Sequence, residues 1–283
     1  LSDVIRDRLD LSDRPEAQAG DATTFGTWGD INLLGLWTLY AKEVRRFLKV
    51  LTQTVLAPMV TTLIFLAVFA LALGGAQREI GGIPYLEFLA PGLLMMAVVQ
   101  NAFANTSSSV VIAKVQGNIV DYLMPPLSPG ELTFGIVMGG VTRGLIVGVG
   151  VIVAMLPFVR ILPVHPFMAL LSLVLASMML AVLGMMGGIW ADKFDQMAAV
   201  TNFVITPLSF LSGTFYSIHD LPEPFHLIAL VNPFFYMIDG IRWSFTGHAD
   251  GPVAVGFIVL AATTAVLYAA AWQMMRSGYK LKA

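Results

Sequence analysis

The stretch LTFGIVMGGVTRGLIVGVGVIVAMLPFV, residues 132–159, decides the fold. It carries one charge, Arg143, and its apolar residues do not alternate as a barrel strand requires. A helix needs about 20 apolar residues to cross the hydrocarbon core of a bilayer, and this run exceeds that length. Five further runs meet the same test: 50–77, 88–113, 167–190, 197–218 and 253–275, all without Asp, Glu, Lys or Arg. Six spans are therefore expected. Pro58, Pro91 and Pro207 fall inside or near the ends of spans, which membrane helices tolerate better than soluble ones.

Composition agrees. Apolar residues make up 57% of the 283 and charged residues 12%, against about 45–50% and about 25% in soluble domains. That balance excludes a soluble enzyme, a nucleic-acid module and a disordered chain. With no cysteine, disulfides, thiolate metal sites and a cysteine nucleophile are also excluded. The polar start of the chain shows no signal peptide.

Lysine and arginine set the expected orientation. With a cytoplasmic N-terminus, the inner positives near the membrane are Lys42, Arg45, Arg46, Lys49, Lys114, Lys193, Arg276, Lys280 and Lys282. The outer ones are Arg78, Arg160 and Arg242. Both termini are then cytoplasmic. Residues 1–35 form a cytoplasmic tail with one short helix at its start, and 36–283 form the six-span domain. Over 36–51, Tyr40, Val44, Phe47, Leu48 and Leu51 fall on one helical face and Lys42, Arg45, Arg46 and Lys49 on another. This pattern predicts a helix lying in the headgroup plane. The outer segment after 218 contains an apolar piece, 225–243, broken by Asn232-Pro233 and Asp239, which predicts one or two short helices at the outer interface.

The inner loop 114–131 is too long for a tight turn and too polar for the bilayer. Ile119, Val120, Leu123 and Met124 form one apolar face with Asp121 beside it, and Pro125, Pro126 and Pro129 stop the helix. An exposed apolar face on so short a helix implies a docking partner.

Candidate chemistry is sparse. There is no GxxxxGK(S/T) phosphate loop, GxSxG elbow or HExxH helix, and no catalytic residue is assigned. His165, His219, His226 and His248 all fall in outer loops. His219, Asp220, Glu223 and His226 have metal-ligand chemistry, yet Pro222 and Pro224 break the helix that would gather them, so no metal site is assigned. Arg143 has two readings. It lines a path, as intramembrane charges do, or it snorkels to the nearer interface. Asn101 and Asn105 on the second span and Thr201 and Asn202 on the fifth either line the same path or bond to neighbouring helices. Gly140, Gly144 and Gly148, with Gly184 and Gly188, mark close helix packing. An intramembrane lipid-modifying enzyme and an ion-coupled carrier are the rival classes. The first needs convergent polar groups and the second intramembrane acids.

Three stretches carry a family resemblance: 117–131 (GNIVDYLMPPLSPGE), 211–216 (LSGTFY) with Leu221-Pro222, and Asn232-Pro233-Phe234-Phe235-Tyr236 with Asp239-Gly240 and Arg242-Trp243. In their order and spacing among six spans, they resemble the permease subunit of type-2 ABC exporters, the bacterial branch of drug, polysaccharide and nodulation-factor exporters. The resemblance implies an elbow helix over 36–51. It implies a coupling helix over 117–124, with Asn118, Ile119, Asp121, Tyr122, Leu123 and Met124 meeting the ATPase. It also implies outer helices over 224–243 bearing Asn232, Pro233, Asp239 and Arg242. The chain itself would hold no cofactor. ATP and magnesium would sit in a separate ATPase present in two copies, and a second permease copy would complete a homodimer in the bacterial inner membrane.

Overall fold

The structure is a computed structural model that describes residues 32–72 and 79–281. Most of the expected tail, together with Arg78 and Lys282, lies outside the described residues.

Helix α1 spans Leu33–Leu48. Asn32 caps it by accepting from the Gly35 N–H at 2.9 Å, and the Asn32 N–H donates to Glu131 Oε1 at 2.6 Å. The helix thus begins and ends three residues before the expected 36–51, stopping at the Lys49–Val50 turn. Its buried positions are Leu39, Glu43 and Phe47. The buried stripe therefore contains an acid, and the basic face is not wholly solvated, for reasons given below.

Helix α2 (Leu51–Ala72) opens the apolar series. A two-stranded hairpin, β1 (Glu79–Ile80) and β2 (Ile83–Pro84), follows where only a short loop was expected. Gly81 and Gly82 carry it at φ +58° and +78°, the left-handed values that a two-residue hairpin loop requires. Helix α3 (Tyr85–Val115) is the central element. It packs against α2, α5, α6 and α10, and 78% of its most apolar window is buried, against 11% for α2.

Gly117, at φ +73°, separates α3 from α4 (Val120–Leu123), a single turn shorter than the expected 117–124. Helix α5 (Pro129–Met155) begins in a capping box: the Glu131 N–H donates to Ser128 Oγ while Glu131 Oε2 accepts from the Ser128 N–H. Helix α6 (Pro166–Trp190) returns alongside. The expected fifth span is helical from 194 to 211 but in three pieces: α7 (Phe194–Val200), a π-helical turn (Thr201–Ile205) and α8 (Thr206–Leu211). Pro207 lacks the N–H that regular bonding needs, which suits a register shift there. The run stops short of the expected residue 218 because Gly213 turns the chain at φ +77°. Helices α9 (Glu223–Val231) and α10 (Pro233–Thr246) meet at 83°, and α11 (Val253–Ser277) closes the bundle.

Among the described residues, five helices, α2, α3, α5, α6 and α11, are long and apolar enough to cross a membrane, and the bent α9–α10 pair passes the same test jointly, whereas the broken 194–211 run expected as the fifth span does not. The glycine stripes act within the chain. A Cβ on Gly184 would lie 2.4 Å from the Phe103 carbonyl oxygen, and one on Gly140 2.7 Å from Thr106 Cγ2, so both α5 and α6 press on α3.

Candidate functional site

At the end of the bundle that carries α4, one buried carboxylate joins three elements. Glu43 on α1 has no exposed surface. Its Oε1 accepts from Ser109 Oγ on α3 at 2.7 Å and from the Tyr122 hydroxyl on α4 at 2.9 Å. Its Oε2 faces Arg46 Nη2 at 3.1 Å. Arg46 reaches on to α3, donating to the Asn105 carbonyl at 2.7 Å, Asn105 Oδ1 at 3.0 Å and Ser108 Oγ at 3.2 Å. Lys42 Nζ sits 3.7 Å over the Tyr122 ring. A buried charge is tolerated only when paired and hydrogen-bonded, and Glu43 is both. Burial and the Glu43 charge together push the Tyr122 hydroxyl up to about 12, so it remains a donor.

Tyr122 therefore faces inward, and Ile119 packs with it against the cluster of Leu132 and Met275. Val120, Leu123 and Met124 are exposed, as are Asn118 and Asp121. The expected apolar face of 119, 120, 123 and 124 is thus divided, with Ile119 turned to the protein. Close by, Lys114 Nζ donates to the Ile189 and Ala191 carbonyls, each at 2.7 Å, satisfying acceptors at the α6 C-terminus. Lys280 Nζ meets Trp190 O at 3.0 Å and Asp192 Oδ2 at 3.1 Å. The Lys280 bond holds the Asp192 carboxyl below its ordinary range.

Deeper along α3, Asn101 Oδ1 accepts from Arg143 Nη2 at 3.1 Å. Arg143 is half-buried, and its Nε has no hydrogen-bond partner among the described residues. Asn101 and Asn105 stand one turn apart on α3, so they meet Arg143 and Arg46 on one face. Thr201 and Asn202 are not brought into this group. Thr201 bonds back to the Met197 carbonyl at 2.9 Å, and Asn202 is exposed.

At the opposite end, which carries the hairpin, two stretches separated in sequence meet. Asn232 Oδ1 accepts from the Phe234 N–H at 3.0 Å, capping α10, and its Nδ2 donates to Ser212 Oγ at 2.9 Å. Pro233 occupies the first turn of α10. Asp239 accepts from the Asp250 and Gly251 N–H groups at 2.7 and 3.0 Å, closing the loop after α10. Arg242 is fully buried. Its guanidinium donates to Gly213 O, lies 3.7 Å over the Phe88 ring and stands 3.7 Å from Asp250. These residues bind the bent helix pair to α3 and to the 212–216 turn. His165 stacks on Trp243, and His248 pairs with Asp250 at 3.3 Å. Among the described residues, no group of three or more His, Asp or Glu converges as metal ligands would.

Residue reasoning passed over Glu43, Asp192 and Asp250, and gave Arg46 only as part of the basic face. For Glu43 a signal was present: one acid lies inside a basic amphipathic helix, at the position where its apolar face turns inward.

Residues 35–246 match the ABC-2 type transporter family. The inner membrane transport permease YadH of Escherichia coli K12 is 36% identical over 250 residues, covering 88% of this chain and 97% of that protein. Nodulation protein J of Rhizobium leguminosarum biovar trifolii is 27% identical over 237 residues, covering 81% and 87%. Its counterpart in Rhizobium meliloti is 26% identical over 215 residues, covering 73% and 80%. With its bundle of long apolar helices and a match over most of its length, the chain belongs to the ABC-2 type transporter family and is a transport permease.

Proposed function

We propose that this permease is the membrane half of an ATP-driven exporter in a bacterial inner membrane. In this reading α2, α3, α5, α6, the α7–α8 run and α11 are six spans, α1 is the elbow helix and α4 the coupling helix. Two copies form the path, and two separate ATPase subunits bind ATP and magnesium. Closure of the ATPase pair on ATP switches the path between inward and outward access. The cargo is an amphiphile: lipid-linked or drug-like.

The observation that carries this reading is the two-sided attachment of α4. A single helical turn has no stability of its own. Here one side is held by Tyr122 to Glu43 and Ser109, while Val120, Leu123 and Met124 are left bare. A partner seated on the bare side displaces α4, and the Glu43 bonds pass that displacement to α1 and α3. Glu43 and Tyr122 therefore act in transmission, and Leu123 and Met124 in docking.

The test is co-purification of the tagged permease with its ATPase, followed by ATP hydrolysis in liposomes. Leu123→Asp should leave the permease inserted and release or uncouple the ATPase, with a larger effect than Asp121→Asn, because a buried apolar anchor outweighs a rim charge. Normal capture and normal transport in Leu123→Asp would remove α4 from the mechanism.

A further inference from the structure

The hairpin end contains an open cavity of about 300 Å³ that the transport reading does not use. Its walls come from the first turns of α3 (Glu87, Pro91), the 159–164 segment (Arg160, Val164), the hairpin (Gly82) and the end of α10 (Phe245). Two opposite charges line it, Glu87 and Arg160, yet among the described residues they form no ion pair with one another or with any other group. Neither side chain forms a hydrogen bond among those residues, whereas Asp239, Arg242 and Asp250 at this end are engaged.

The surroundings of the cavity point to lipid. Phe158, Leu162, Val164 and Phe167 are all exposed around the 156–167 connection. Exposed large apolar side chains gathered on this connection and at the start of α6 belong at the boundary of acyl chains and headgroups. The cavity then opens at headgroup depth, with acyl-chain surface directly below.

We infer that this cavity binds the headgroup of a phospholipid bearing a primary amine: the phosphate meets Arg160, and the ammonium meets the Glu87 carboxylate. A primary ammonium has N–H donors for that carboxylate. A quaternary amine has none, and a glycerol headgroup brings no positive charge to Glu87.

Native mass spectrometry of the full chain in mild detergent tests this, using phosphatidylethanolamine, phosphatidylcholine and phosphatidylglycerol with matched acyl chains. Phosphatidylethanolamine should be retained about tenfold more tightly than phosphatidylcholine, the scale of one charge-assisted hydrogen bond. Glu87→Gln should abolish that preference, and Arg160→Gln should weaken both lipids alike. Arg160 is exposed on a connection, so its variant keeps the test informative if Glu87→Gln elutes as aggregate. Soluble phosphoethanolamine should not displace the lipid at equal concentration, because it lacks the acyl contacts. Equal retention of the three lipids, an unchanged preference in Glu87→Gln, unweakened retention in Arg160→Gln, or displacement by the soluble headgroup would overturn the inference. The readout needs neither ATPase nor cargo, so it stands apart from the transport reading.

Discussion

The Tyr122 hydroxyl donates to Glu43 Oε1 at 2.9 Å across 79 positions of sequence. Ser109 Oγ donates to the same oxygen at 2.7 Å, so α1, α3 and α4 share one acceptor. Such a node is rigid because each member fixes the others, and its loss is felt by all three elements. Arg46 supplies the compensating charge. Arg46→Ala should therefore destabilise the protein by about 3–5 kcal/mol, since it strands a buried carboxylate. Tyr122→Phe should cost about 1.5–3 kcal/mol, the range for a hydrogen bond to a charged group. Thermal unfolding of the purified chain ranks the two, and a smaller loss in Arg46→Ala than in Tyr122→Phe would contradict the charge argument.

The same node has a pH signature. Tyr122 is held protonated in the fold, with its titration raised from 10.0 to about 12. A raised folded-state value means a contribution fully present below the unfolded value, near pH 10, and lost as pH rises through about 12. Ultraviolet phenolate titration of the native chain should lose a late-ionising phenol in Tyr122→Phe. If all phenols ionise together near pH 10, Tyr122 does not face Glu43.

Five of the expected spans were legible because crossing a bilayer demands a long apolar run, and length is local information. The motif at Asn232, Asp239 and Arg242 was legible as a set, but its purpose was not. Arg242 looks like an outer positive charge in the sequence, whereas in the fold it is buried on Phe88 and bonded to Gly213. Tyr122 was grouped with Leu123 as a docking residue because a one-turn helix has too few residues to define its faces. The partner that decides the matter, Glu43, lies far away in sequence. The break at Thr201–Ile205 was hidden because a π-helical turn leaves hydropathy unchanged.

Arg143 Nη2 bonds to Asn101 on α3 at 3.1 Å, and the path-lining reading of that pair gives a test. Arg143→Leu should lower transport while assembly persists. Asn101→Ala should have the same effect, and the double variant should be no worse than either, because both remove one interaction. Additive losses would separate the two residues.

Gly184 tests the packing of α6 on α3. A Cβ there would meet Thr106 Oγ1 at 2.3 Å and backbone of Phe103 at 2.4 Å. Backbone cannot rotate away, so Gly184→Ala should cost about 1–3 kcal/mol, the range for overpacking. Gly130→Ala is the matched control, because its nearest neighbour would lie at 3.8 Å. Equal unfolding temperatures for the two variants would mean that α3 and α6 are farther apart than described.

Orientation is the remaining test, and the fold sharpens the charge argument behind it. The α4 end gathers Lys42, Arg45, Arg46, Lys49, Lys114, Lys193, Arg276 and Lys280, whereas Arg242 at the hairpin end is buried and cannot act as an interfacial charge. Among the described residues, that leaves Arg160 as the exposed outer positive near the membrane. The excess of lysine and arginine marks the cytoplasmic face. The chain has no cysteine, so a single introduced thiol reports without background. Glu223 at the start of α9 and Asn118 before α4 are both exposed, so accessibility to water alone does not separate them. In intact cells an impermeant maleimide should label Glu223→Cys and spare Asn118→Cys, and lysis should expose the latter. The reverse pattern would place α4 outside the cell, where no cytoplasmic ATPase could reach it, and would end the coupling proposal with the orientation.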